Sequence, residues 1–165
     1  MPIGSEAAAS ESIGSLVESV TGQHTLLIGV SHPPLPPGYQ QESGMLVASP
    51  PGSQWSLSHL RFGDENVLTL DSMTHSVDRK AHWVIVGATV LPTIRVRSET
   101  VVVVDCFLDG KADASIVAIG RWVNSGPHVS DLVDLRFALR PDVSSRTFRT
   151  LPVDRVSCWV DEDRR

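Results

Sequence analysis

Three sets of residues could do chemistry. They are six histidines (His24, His32, His59, His75, His82 and His128), two cysteines (Cys106 and Cys158), and the acidic series Asp105, Asp109 and Asp113. Two strand histidines and a carboxylate could meet in space as a metal site. Their spacing along the chain does not bring them together, so hydrogen-bonded or exposed imidazoles are expected. The acidic series lacks the alternating oxygen ligands and distal Glu of a calcium hand. It reads as a polar hairpin turn. Asp105 closes a run of four valines, so it stands at a strand's mouth or is a buried acid needing a partner such as Arg95 or Arg97. There is no Gly-x-Ser-x-Gly, no His-Glu-x-x-His and no phosphate-loop pattern. The cysteines have neither zinc nor redox spacing, and each lies in an apolar strand pattern. Buried, reduced thiols in a reducing cytosol are the expectation, with a disulfide as the lesser alternative. The expectation is thus a non-enzyme with no cofactor and no metal.

Other residues are suited to contact. His32–Tyr39, HPPLPPGY, holds two P-x-x-P frames, starting at Pro33 and Pro34, and Pro36-Pro37-Gly38-Tyr39 matches P-P-x-Y. A polyproline helix ending in Tyr39 can fill the groove of a WW-type domain; the alternative is a rigid loop. Of the tryptophans 55, 83, 122 and 159, Trp159 falls on the wet face of its strand, where an exposed indole suggests a contact with another chain. Arg136, Arg140, Arg146 and Arg149 could form a patch for RNA, or a solvated face. Nucleic-acid binding otherwise has little support. The net charge is −5, and the first basic residue is Arg61, preceded by Glu6, Glu11, Glu18 and Glu42. Tight non-specific binding needs several phosphates neutralised at once.

The elements that must position these groups are mostly strands. With 165 residues and 41% hydrophobic content, one domain with a buried core is expected. The 22 Val, 11 Pro and 12 Gly favour strands broken by turns. No apolar run approaches the roughly 20 residues of a membrane helix, and the start lacks the pattern of a secretory signal. Residues 1–24 read as a flexible acidic segment. Within it Ile13, Leu16, Val17 and Val20 recur at helical spacing, a short stripe suited to assembly, with Gly22 as its stop. Strands are expected at Thr25–Val30, Met45–Ala48, Trp55–His59, Val67–Leu70, Trp83–Leu91, Thr100–Leu108, Ile116–Val123, Val133–Leu139 and Val156–Val160. In the last two every second residue is apolar, which predicts Val133, Leu135, Phe137 and Leu139 inward and Arg136 and Arg140 outward. Helices do not alternate with strands, so a βαβ fold is excluded. The predicted fold is all-β: about eight antiparallel strands over residues 25–165, forming one sandwich of jelly-roll type.

A family resemblance points the same way. LTLDSMTHSVDRKAHWVIVGATVLPTIRVRSETVVVVDCFLDGKADASIVAI resembles the middle of bromovirus- and cucumovirus-type coat proteins, and LRFALRPDVSSRTFRTLPVDRVSCWVDEDRR resembles their last two strands. The stretch also resembles the thirty-kilodalton superfamily of plant-virus movement proteins, with Pro92 and Asp105 at that family's Pro and Asp places. The resemblance implies a viral jelly-roll protein. The first expectation is a self-assembling coat (capsid) subunit in a virion or the host cytoplasm, with itself as principal partner. A cell-to-cell movement protein, or a cellular β-sandwich module binding through its proline-rich loop, are the alternatives.

Overall fold

The structure is a computed structural model that describes residues 22–47, 51–103 and 105–164. The proposed helical stripe Ile13, Leu16, Val17 and Val20 lies outside the described residues.

The first sheet is built from β1 (Ser31–His32), β2 (Tyr39–Val47), β3 (Trp55–Phe62), β4 (Glu65–Val77) and β5 (Lys80–Val90). Strands β2 to β5 form an antiparallel meander, and β1 closes the far edge, giving the order β1-β5-β4-β3-β2. The second sheet takes β6 (Glu99–Val103), β7 (Cys106–Leu108), β8 (Lys111–Ala112), β9 (Val117–Gly126), β10 (Val129–Asp142), β11 (Thr147–Thr150) and β12 (Val156–Asp161). Its order is β6-β9-β10-β12-β7-β8, with β11 beside β10. All pairings are antiparallel. Among the described residues there are thus twelve strands, where about eight are expected. The first five lie in one sheet and the last seven in the other, whereas a jelly roll passes successive strands between its sheets. No described helix is long and apolar enough to cross a membrane.

Period-two alternation explains the layers. Leu57, Leu68 and Leu70 of the first sheet meet Val117, Ile119, Leu139 and Phe148 of the second, forming the core between the sheets. A second core lies on the opposite face of β9 and β10, where Ile116, Ala118, Leu132 and Ala138 are covered by Cys106, Leu108, Val156 and Cys158. Thr100–Leu108 is accordingly covered on both sides, with Val102, Cys106 and Leu108 in this second core and Val101 and Val103 against the first. A third cluster, Leu27, Leu60, Val67 and Ile85, sits on the outer face of the first sheet beneath Val30, Leu35 and Tyr39. Gly87 joins the two halves: a Cβ there would stand 2.3 Å from the Arg146 carbonyl oxygen, so only glycine lets that turn approach β5.

Several sequence expectations need correction. Thr25–Val30 is not a strand; Gly22–Leu27 is a 3-10 helix, with Leu27 buried and Leu26 exposed. Proline lacks the ladder donor, so His32–Tyr39 is expected outside the ladders, yet its two end residues pair, His32 with Trp83 and Tyr39 with Phe62. Thr100–Leu108 is two strands, β6 and β7, parted at Asp105, whose φ of +61° turns the chain. In β10 the pairing with β9 slips between Val133 and Phe137, around Asp134 at φ +54°. Leu135 consequently packs against the second core and Phe137 against the first, so Val133, Leu135, Phe137 and Leu139 do not share one face.

Candidate functional site

The strand pair β7–β12 carries the site most suited to contact. Val156 and Cys158 point into the core, while Ser157 and Trp159 point out, as the alternation predicted. The pairing sets Cys158 directly opposite Cys106, and Ser157 opposite Phe107. Directly opposite cysteines on adjacent strands are within bonding reach, and the two form a disulfide. This corrects the expectation of reduced thiols. Phe107 and Trp159 are diagonal neighbours on the outer side. Their rings stack face to face, with centroids 5.1 Å apart and planes within 3°. Trp159 remains 36% exposed. Arg155 donates to both carboxylate oxygens of Asp109 just beyond Leu108, pinning that end of the pair. The guanidinium's hydrogen bond holds the Asp109 carboxyl below its ordinary range. Sequence reasoning found Trp159 but missed Phe107, because the cross-strand register that pairs them is not written in either segment.

Next to this pair lies an open depression of about 300 Å³ lined by Leu108, Asp109, Lys111, Ala112, Asp113 and Arg140. Its acids already have partners. Asp109 is held by Arg155, and Asp113 lies 3.6 Å from Arg140 while accepting hydrogen bonds from the Ser115 hydroxyl and amide. Asp105 stands at the strand break, where its carbonyl accepts from the Trp159 amide. Among the described residues, no three His, Cys, Asp or Glu side chains converge to hold a metal ion.

The four candidate RNA-contact arginines do not form a patch of open charge. Arg136 is locked onto Glu99 at 2.6 Å and donates to the Thr93 carbonyl. Arg140 faces Asp113, and Arg149 donates to Asp142 at 2.7 Å. Arg146 stands on an exposed turn. The outward position expected for Arg136 is also corrected, since its side chain is four-fifths covered.

The proline-rich loop folds as part of the wall. Pro33, Pro34 and Pro37 are exposed, and Leu35 and Pro36 are half-buried. Tyr39, which would have to enter a WW groove, is turned inward. Its hydroxyl lies 2.7 Å from His24 Nδ1, and its ring packs on Phe62 at 4.6 Å. His24 Nε2 in turn reaches Glu65 at 2.8 Å. At the other end of the loop, buried His32 lies 3.6 Å from the fully buried Asp71 carboxylate, which accepts from Ser58 at 2.7 Å. His32 Nε2, Thr69 Oγ1 and Asp71 Oδ1 lack hydrogen-bond partners there. The carboxylate stands between serine and histidine, so the order is not that of a serine–histidine–carboxylate relay, and the cluster ties His32 at the start of the loop to β3 and β4. Sequence reasoning missed this cluster, because Ser58 and Asp71 looked like the polar positions of ordinary strands.

No family model, no curated protein and no solved structure matches the chain.

Proposed function

We propose that this chain is a non-enzymatic β-sandwich structural subunit that works by associating with further copies of itself, as a coat (capsid) subunit of the viral type that residues 67–165 resemble. The observation that carries this is the Phe107–Trp159 stack. A large aromatic pair is held face to face, partly open to solvent, on two strands stapled by the disulfide directly behind it. Its side chains are already ordered, so a partner would cost them little further entropy. Exposed aromatics of this kind are what interface centres use. Repeated contacts between identical subunits close by symmetry into a shell.

Two further features support the proposal. A disulfide suits an oxidising or extracellular setting, such as a particle surface, better than a reducing cytosol. The pairing of Arg136, Arg140 and Arg149 with carboxylates fits a subunit that binds nucleic acid weakly. The meander order of the first sheet departs from a jelly roll, so the aromatic face and not the strand order is the support here. A proline-loop module is less well supported, because Tyr39 is engaged by His24 and Phe62. Light scattering over a concentration series tests the proposal. Masses that are multiples of 17.9 kDa are expected. A single 17.9 kDa species at every concentration would contradict it.

A further inference from the structure

The hairpin β4–β5 runs beyond the body of its sheet. The pairing of β3 with β4 ends at Trp55–Ser72, and β1 meets β5 only at Trp83 and Val84. Past those points, His75–Val77 pair with Lys80–His82 as a two-stranded ribbon. A ribbon of two strands is marginally stable by itself. At its root the ladder carries a bulge. Met73 pairs with Trp83, so a regular ladder would set Thr74 opposite His82. The bulge inserts one residue and brings His75 there instead.

The two imidazoles are therefore direct cross-strand neighbours on one face. Their rings stack with centroids 4.7 Å apart and planes within 1°. Thr74, displaced by the bulge, takes a supporting role. Its hydroxyl donates to the His82 carbonyl at 3.1 Å, which uses its only proton. Its oxygen, 2.9 Å from His75 Nδ1, must then accept from that nitrogen. This holds the proton on Nδ1 and leaves Nε2 of His75 with a free lone pair. A ring nitrogen oriented through its partner is how metal-binding histidines are prepared.

From this arrangement we infer that His75 and His82 form a two-histidine site for a divalent late-transition-metal ion, Zn2+, Ni2+ or Cu2+, with water completing the coordination. Imidazole suits these ions, whereas Mg2+ and Ca2+ prefer oxygen. Directly opposite positions on antiparallel strands hold their Cβ atoms about 4.5–5.5 Å apart. Both Nε2 atoms can then reach one ion at roughly 2.0–2.1 Å once the rings turn out of their stack. The ion would tie the two strands of the ribbon together across its open length. The site is distinct from the β7–β12 face and does not depend on the proposed self-association.

Titration of the full chain with ZnCl2 and NiCl2, followed by calorimetry and by the histidine resonances, tests the site. One ion per chain is expected, with the His75 and His82 signals moving together. His75→Ala and His82→Ala should each weaken binding by about tenfold or more, since one imidazole alone loses the chelate. His128→Ala should leave it unchanged. Amide exchange at Ser76–Ala81 should slow when the ion is added. His82→Gln serves as a second variant, and thermal melts report whether each variant folds. Unchanged affinity in folded His75 and His82 variants, half an ion per chain, or no binding at all would overturn the assignment.

Discussion

Cys106 and Cys158 stand directly opposite each other on β7 and β12, and the disulfide between them backs the stack of Phe107 on Trp159. One covalent bond thus does two things. It closes a chain segment between residues 52 apart in sequence, and it fixes the spacing of the two strands that carry the aromatic face. Closing a loop of that size is worth about 4 kcal/mol on a chain-entropy account. The double variant C106A/C158A should lose stability of that order in urea unfolding. It should also blur the Trp159 environment in near-ultraviolet circular dichroism.

The Glu99–Arg136 pair ties β6 to β10. The Arg136 hydrogen bond, and a further one from the Arg95 amide, lower the Glu99 carboxyl from 4.5 to about 2. A depressed carboxyl contributes stability that is complete above its ordinary value and is lost as pH falls toward the depressed one. The protein should therefore lose stability between about pH 4.5 and about pH 2. Glu99→Gln should show a shallower loss across that window. Equal acid slopes in the two proteins, measured by urea midpoints, would count against the pair.

Tyr39 is the single tyrosine of the chain, so its phenol can be followed directly by absorbance. Burial raises its titration above the ordinary 10.0, and the Glu65 charge raises it further. The measured midpoint should lie above 10.0, and Glu65→Gln should lower it toward that value. A midpoint at or below 10.0 would mean that the loop leaves Tyr39 in solvent.

Gly87→Ala should be costly although the change is one methyl group. The added carbon would meet the Arg146 carbonyl oxygen, which is backbone and cannot swing aside. Overpacking of this kind typically costs about 1–3 kcal/mol. Thermal melts of this variant against Gly110→Ala are informative, because a Cβ at Gly110 meets nothing within 4 Å, although φ +77° there disfavours alanine. A milder loss at Gly87 than at Gly110 would place the β10–β11 turn elsewhere.

How much of this is legible in the sequence differs from element to element. Val156, Ser157, Cys158 and Trp159 alternate in and out as their spacing says, because β12 has one core face and one wet face. The same period misleads in β10. A bulge at Asp134 changes the face half-way along, and nothing in the run LVDLRFAL marks it. Of the edge strand β2 only the end, Met45 to Val47, is legible, since Gln40 to Ser43 are exposed and polar. The site depends still more on register. Phe107 and Trp159 become neighbours only when two strands far apart in sequence pair. His75 and His82 face each other only through a one-residue bulge. Arg136, Arg140 and Arg149 looked like open charge because Glu99, Asp113 and Asp142 reach them only in the folded sheet.

The most direct test of self-association through the aromatic face is sedimentation equilibrium of the wild-type chain beside Trp159→Ser and Phe107→Ser. Both residues lie on the outer side of β7–β12, so the variants should fold. The predicted result is a wild-type oligomer that dissociates to the 17.9 kDa monomer in both variants, with thermal melts of the isolated subunit little changed. An oligomer of unaltered mass and affinity in both variants would contradict the claim, as would a wild-type chain that is already monomeric.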